Sequence, residues 1–221
     1  MKYFKYIFQI YVFIGISICH AGSYEDFFQA IARDDSAMVE TLLKRGFDAN
    51  TPSPQGASPL MSAIRQAALK SAIVLAAWPQ TRVDDRNAED ETPLMLAVFH
   101  NQKSVVHLLI ERQADVNKPG WTPLHYAATQ GHADMVRVLM QHHAYIDAPS
   151  PNGTTPLMMA AHYGNPLVTK LLLEEGADPR LKNDLGLSVL DFAHQGPHAQ
   201  ETIPYIQAFL ASWNARAPTK P

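Results

Sequence analysis

The chain has 221 residues, a formal charge of −3 at pH 7, 47% hydrophobic residues and 18% charged ones. That balance excludes a disordered polyelectrolyte, and the absence of any lysine- or arginine-rich block removes the electrostatic footprint of a nucleic-acid binder. The length allows one or two domains.

Residues 1–21 differ from the rest. Lys2 and Lys5 give a positive start, an apolar run follows from Tyr6 to Cys19, and Cys19-His20-Ala21 leads to Gly22-Ser23. Charge, apolar run and small-residue exit are the order of a secretory signal peptide, and cleavage is expected after Ala21. The run is about 14 residues, short of the roughly 20 needed to span a bilayer. An uncleaved anchor is the alternative, and the only membrane contact expected. A lipid-modified Cys19 fits less well, because Ile18 stands where a small residue is needed. Cleavage would take the formal charge from −3 to −5 and remove the only cysteine. The mature chain would then have no disulfide and no thiol nucleophile, and burial alone would hold it. An exported, periplasm-like compartment is expected, with secretion as the alternative.

The rest of the chain, 22–213, repeats itself. Residues 24–53 carry Leu42-Leu43 and then Gly46-Phe47-Asp48-Ala49-Asn50, with Glu25-Asp26 in place of a Thr-Pro start, and read as a cap. Residues 54–87 contain Ser58-Pro59-Leu60, carry one extra residue and end in Trp78-Pro79. Ala67 stands at their inter-helix turn, where alanine resists left-handed geometry, so altered helices are expected there. Residues 88–117 contain Thr92-Pro93-Leu94, Asn101 at the turn, Leu108-Leu109 and Ala114-Asp115-Val116-Asn117. Residues 118–150 are the fullest copy. Thr122 is placed to cap a helix and Pro123 to occupy its first position, where a missing N–H costs nothing. Leu124, Ala127 and Ala128 form its inner face, Gly131 ends it, and Met135, Val136, Leu139 and Met140 mark a second helix. Residues 151–183 contain Thr155-Pro156-Leu157, Gly164 at the turn, Leu172-Leu173 and Gly176-Ala177-Asp178-Pro179. Residues 184–213 carry a degenerate Ser188-Val189-Leu190 and a closing helix with Ile203, Ile206, Phe209, Leu210 and Trp213, and 214–221 are expected to be a flexible tail. Gln113 and His143 fill the helix-ending place that Gly46 and Gly176 hold elsewhere, which predicts left-handed strain at His143.

The four S/T-P-L strings in one register, with prolines 34, 30 and 33 residues apart, resemble the ankyrin-repeat family over nearly all of residues 24–213. The resemblance implies an all-α solenoid of helix-turn-helix units with short projecting turns, in which each unit buries against its neighbours. It also implies that His125 bridges backbone groups at its helix start. Met61, Met95 and Met158 stand at that place in sister units, so the bond is not expected to repeat.

One projecting turn is short. Nine positions separate Val83 from Thr92 and Ile146 from Thr155, but six separate Val116 from Thr122. The link Asn117-Lys118-Pro119-Gly120 is either a harmless deletion or a notch flanked by Trp121 that admits part of a partner.

No catalytic constellation emerges: no G-x-S-x-G, no H-E-x-x-H and no phosphate-binding glycine loop. His142 and His143 are adjacent and point apart on a helix, and Gly196-Pro197 separates His194 from His198, so no metal or other cofactor is expected. The resemblance instead implies a concave face built from the ends of the first helices and the residue before each T-P. Those positions hold Arg33, Arg65, Gln66, Glu91, Phe99, His100, Trp121, Thr129, Gln130, Thr154, His162 and Tyr163. Arg65, Phe99, His100, Trp121, Gln130, His162 and Tyr163 are the candidate partner-binding residues, since aromatics and arginine dominate protein-binding hot spots. The expected function is non-enzymatic binding of a folded protein, which resembling periplasmic members suggest would support or protect a partner such as a stress-defence enzyme. An inhibitor or immunity-type protein that blocks a toxin or hydrolase, or a secreted effector that binds a host protein, is the alternative.

Overall fold

The structure is a computed structural model that describes residues 22–216, with side chains through 213; the expectations placed on 1–21 and 217–221 fall outside the described residues. The chain is a solenoid of paired helices, as the repeat implied. An N-terminal helix α1 (22–32) pairs with α2 (Ser36–Lys44). The pairs that follow are α3 (Pro59–Arg65) with α4 (Leu69–Ala77), α5 (Pro93–Phe99) with α6 (Lys103–Glu111), and α7 (Pro123–Gln130) with α8 (Ala133–Gln141). Then come α9 (Pro156–His162) with α10 (Pro166–Glu174), and α11 (Val189–Gln195) with α12 (Ala199–Arg216). Among the described residues, extended pairing amounts to one isolated bridge between Lys182 and Ser188.

Capping explains where the inner helices start. The hydroxyls of Ser58, Thr92, Thr122 and Thr155 each accept the amide of the third helical residue, and proline fills the first position. Each satisfies a donor that the helix leaves free. Without proline, Ser188 caps α11 through the Asp191 amide.

The inner helices α3, α5, α7, α9 and α11 pack in series, and the outer helices α2, α4, α6, α8, α10 and α12 form a second layer behind them. Between the layers, Leu60, Leu94, Leu124 and Leu157 are buried in equivalent places, with the alanine pair Ala127 and Ala128 fully enclosed. Each such leucine contributes roughly 2 kcal/mol of apolar burial. The alanines let neighbouring inner helices approach.

Three local expectations are corrected. The second unit is not altered at its turn: α3 and α4 have the same seven and nine residues as α5 and α6, and Ala67 is left-handed at φ 55°. Its amide bonds Ile64 O, and that of Ala68 bonds Ala63 O at 2.9 Å, as His132 bonds Ala127 O in the fourth unit. Ala68, Ala72 and Leu75 are buried against the neighbours, and that packing outweighs a strain of about 1–2 kcal/mol. Gly164, read as a left-handed turn like Gly131 (φ 69°), has no positive φ. Pro166 follows two residues later and holds Asn165 at ψ 140°, whereas His132 has ψ 79°. Glycine is needed at 164 for another reason: a Cβ there would meet Ala128 O at 2.4 Å. Lastly, Met95 does reproduce part of the histidine bond, because its thioether accepts the Thr92 amide at 3.4 Å. His143 and Gln113 are left-handed, at φ 61° and 62°.

The units are tied by a ladder of side chains at the projecting turns. Asn50 bridges Gln80 O and the Arg82 amide, Asp84 accepts the Asp115 amide, Asn117 bridges His143 O and the Tyr145 amide, and Asp147 accepts the Asp178 amide. Each bond spans one repeat. Beyond these turns, full-length fingers close by amide-to-carbonyl bonds such as Asn87 to Glu91 O and Ser150 to Thr154 O.

Candidate partner-binding face

Fingers and inner helices share one side of the solenoid, and its middle carries a cavity of about 330 Å3 lined by Glu91, Phe99, Trp121, His125, Tyr126, Thr129 and Met159. Glu91 comes from the end of the finger before α5, Phe99 from the end of α5, and Trp121 from the residue before the Thr122 cap. Tyr126 and Met159 occupy the fourth position after their respective threonine caps, on α7 and α9.

His125 fixes the floor. Its Nδ1 accepts the Thr122 amide at 3.2 Å and lies 2.9 Å from Thr122 Oγ1, while Nε2 donates to Thr154 O at 2.9 Å. One ring thus caps α7 and ties it to the next finger. Burial drives its pKa down to about 4, although backbone bonds to Thr154 and Ala148 oppose the change, so the ring is neutral at physiological pH. Trp121 stands edge-on to it, centroids 5.2 Å apart, and Phe99 stands edge-on to Tyr126 at 6.0 Å.

Glu91 supplies the charge. Its Oε1 accepts from the Tyr126 hydroxyl at 2.9 Å, and its Oε2 accepts from Arg65 and Asn87, each at 2.7 Å. Burial pushes its carboxyl up, but the bonds from Asn87, Tyr126 and Arg65 prevail and hold it below its ordinary value. Burial and the Glu91 carboxylate together raise the Tyr126 hydroxyl far above the ordinary tyrosine range. The pocket therefore presents an anion and a neutral phenol.

Of the predicted residues, Phe99 and Trp121 line this cavity. Arg65 is attached to it through Glu91, and His100 packs its edge on Phe99 at 5.2 Å. Gln130 is exposed at the end of α7. His162 and Tyr163 form a pair at the end of α9, ring centroids 3.9 Å apart, with His162 Nδ1 3.2 Å from Phe192 O. Tyr163 is 57% exposed. These last three do not line the cavity. Tyr126 and Met159 were not anticipated. The signal was the variable residue inside T-P-L-x-x-A, which looks like ordinary helix interior when only the flanking alanines are read.

The short link is not an empty notch. Lys118 is 1% exposed, and its ammonium pairs with the Asp90 carboxylate and donates to Pro119 O. Asp90 is left-handed (φ 61°) where sister fingers have glycine, and the bond from Lys118 holds its carboxyl below its ordinary value. The lysine stem fills space under the missing residues and leaves Trp121 half-buried on the cavity wall. Arg112 makes a second unanticipated clamp. It donates to the carbonyls of Ala76 and Trp78 at 2.7 Å, Pro79 at 3.1 Å and Thr81 at 3.2 Å, and so holds the irregular end of the second unit. Among the described residues, no group of three or more His, Cys, Asp or Glu is placed to hold a metal ion, and no helix is long and apolar enough to cross a membrane.

Residues 27–119 and 116–183 match the family described as Ankyrin repeats (3 copies). Similar curated proteins include the nuclear factor NF-kappa-B p105 subunit of Gallus gallus, 31% identical over 70% of this chain, and the neurogenic locus notch homolog protein 4 of Homo sapiens, 39% identical over 58%. The chain spans 16% and 7% of their respective lengths. Among solved structures, an ankyrin repeat domain from Acinetobacter baumannii superposes with a TM-score of 0.71 at 24% identity, covering 83% of this chain and 96% of that one. A chain from the complex of a predatory endopeptidase with an immunity protein, from Bdellovibrio bacteriovorus, gives 0.72 at 27% identity, covering 83% and 97%.

Proposed function

Since the chain belongs to the ankyrin-repeat family, we propose that it is a non-enzymatic protein-binding scaffold that docks a folded partner on the side bearing its fingers and inner helices, and that it works in an exported, periplasmic compartment. The observation that carries the binding side is the cavity walled by Phe99, Trp121 and Tyr126. Three rings line one cavity with a half-buried, ionised carboxylate, the aromatic-rich composition of an interface centre. Export rests on the charged start, apolar run and small-residue exit of residues 1–21. Supporting or protecting the partner is the role that fits a rigid face offering no reactive group.

A photo-crosslinking side chain placed at Phe99, or at Tyr163 on the same side, should capture the partner in living cells. The same group at Arg137, on outer helix α8, should not. Capture from Arg137 and not from Phe99 would overturn the docking side. N-terminal sequencing of the exported chain should begin at Gly22; a product retaining Met1 in the membrane would overturn export by cleavage.

An inhibitor or immunity-type role is the second reading. It is favoured by the likeness over 83% of the chain to one from an endopeptidase–immunity protein complex. Loss of a captured hydrolase's activity on adding the chain would select this reading.

A further inference from the structure

We propose that the pocket between Phe99, Trp121 and Tyr126 takes a single basic side chain, lysine or arginine, presented by the partner, with the Glu91 carboxylate as its counter-ion. This rests on the docking side proposed above and names the chemistry it selects.

Three observations converge on a cation. First, three aromatic rings line a cavity of about 330 Å3, at the small end of the roughly 300–1,000 Å3 range of ligand pockets. That suits one inserted side chain. Ring faces attract cations through their quadrupoles, and arginine and lysine are the side chains that exploit this. Second, the carboxylate is not saturated. An ionised carboxylate accepts at about four lone-pair positions. On Glu91, Oε2 is occupied by Arg65 and Asn87, and Oε1 by Tyr126 alone among the described residues. The remaining position on Oε1 is on the oxygen that the cavity's own Tyr126 reaches. Third, no cation lines the cavity. Arg65 approaches Glu91 but is not part of the wall, and the neutral His125 adds no charge.

The competing occupants are disfavoured by the same groups. A purely apolar side chain would strip water from Glu91 and return no hydrogen bond to Oε1, which is a costly burial. An acidic side chain would meet Glu91 and, beside it, Glu89, whose carboxylate is 66% exposed. Arg65 has a different part from the one its position suggested. It lies 2.7 Å from Glu91 and 3.8 Å from Glu89, and so holds the carboxylate ionised and oriented before the partner arrives.

The test uses blocked pentapeptides, acetyl-Gly-Gly-X-Gly-Gly-amide with X lysine, arginine, norleucine or glutamate. They are titrated into the full chain labelled at its tryptophan indole nitrogens. The Trp121 indole resonance should shift saturably with the lysine and arginine peptides at millimolar concentration. Norleucine should bind at least fivefold more weakly, and glutamate should cause no saturable shift. Glu91→Gln should weaken lysine binding at least fivefold, with the Trp78 and Trp213 resonances unmoved to show that the fold is kept. Tyr126→Phe keeps the ring and frees a second position on Oε1, so it should retain lysine binding; this variant tests the idea even if Glu91→Gln does not fold. Norleucine binding as tightly as lysine, equal binding by Glu91→Gln, loss of lysine binding in Tyr126→Phe, or no Trp121 shift with any peptide would each overturn the proposal. None of these results bears on the docking side, which the crosslinks at Phe99 and Arg137 decide separately.

Discussion

The fourth unit closes its inner helix with residues of its own: Thr122 and His125 cap the start of α7, and Gly131 takes the left-handed turn at its end. The second unit has the same two helices but little of this equipment. Met61 replaces the histidine and Ala67 takes the left-handed turn; the start of α4, like that of α8, has no side-chain cap of its own. What is missing comes from next door. Asp34 of the first unit, itself left-handed, accepts the Ser71 amide at 2.8 Å and the Lys70 amide at 3.3 Å, and Arg112 of the third unit holds four carbonyls at the end of α4 and just past it. One backbone geometry is thus reached either from within a unit or on loan from its neighbours. A stack tolerates the second route because each unit is flanked.

The largest way to separate the two is pH. His125 is held neutral in the folded chain down to about pH 4, whereas the unfolded chain titrates near 6.5. Between those values the unfolded state binds more protons, so stability is full above about pH 6.5 and falls as pH drops towards 4, by about 3 kcal/mol in all. Urea unfolding at pH 7 and pH 4.5 should show this loss, and His125→Gln should flatten it. The second unit, with Met61, has nothing to titrate at this place.

Arg112→Ala should come next. Four carbonyls lose a charged donor, at a cost of about 2–3 kcal/mol, and hydrogen exchange should quicken in the second unit before the fourth. Uniform quickening would break the idea that the second unit leans on its neighbour. Gly131→Ala should cost about 2 kcal/mol, because φ 69° strains alanine and the new Cβ would stand 3.0 Å from the Asn165 backbone nitrogen. The converse changes are the smallest. Ala67→Gly, and His143→Gly at φ 61°, should each raise the unfolding midpoint, by about 1 kcal/mol of stability. A fall at Ala67 would mean that its methyl packs more than its backbone strains.

Much of the fold could be read from residues because its causes are local and repeated. Serine or threonine before Pro-Leu announces inner helices α3, α5, α7 and α9, glycine at the equivalent places exposes His143 as left-handed, and the histidine of T-P-L-H is bonded as the resemblance implied. The expectation at Ala67 failed because propensity is a small term: about 1–2 kcal/mol of backbone strain yields to a buried neighbourhood. Gly164 was misread because a glycine kept for close approach looks the same in sequence as one kept for φ. At the candidate site, Phe99 and Trp121 were placed by repeat position alone, while Tyr126 and Met159 were hidden inside a helix pattern. Lys118 and Arg112 were beyond reach for a different reason. Their partners lie 28 to 36 residues away and occur once, so no periodicity marks them.

Those two long side chains also bear on how the solenoid would respond to load. Arg112 grips the unit before it, and Lys118, at the junction of the third and fourth units, reaches back to Asp90 on the preceding finger. The two bonds flank the third unit, one tying it to the second and the other to the fourth. A chain pulled from its ends should therefore peel inward one unit at a time and stall at the third, which would act as a mechanical keystone and keep the aromatic cavity assembled while the outer units come away.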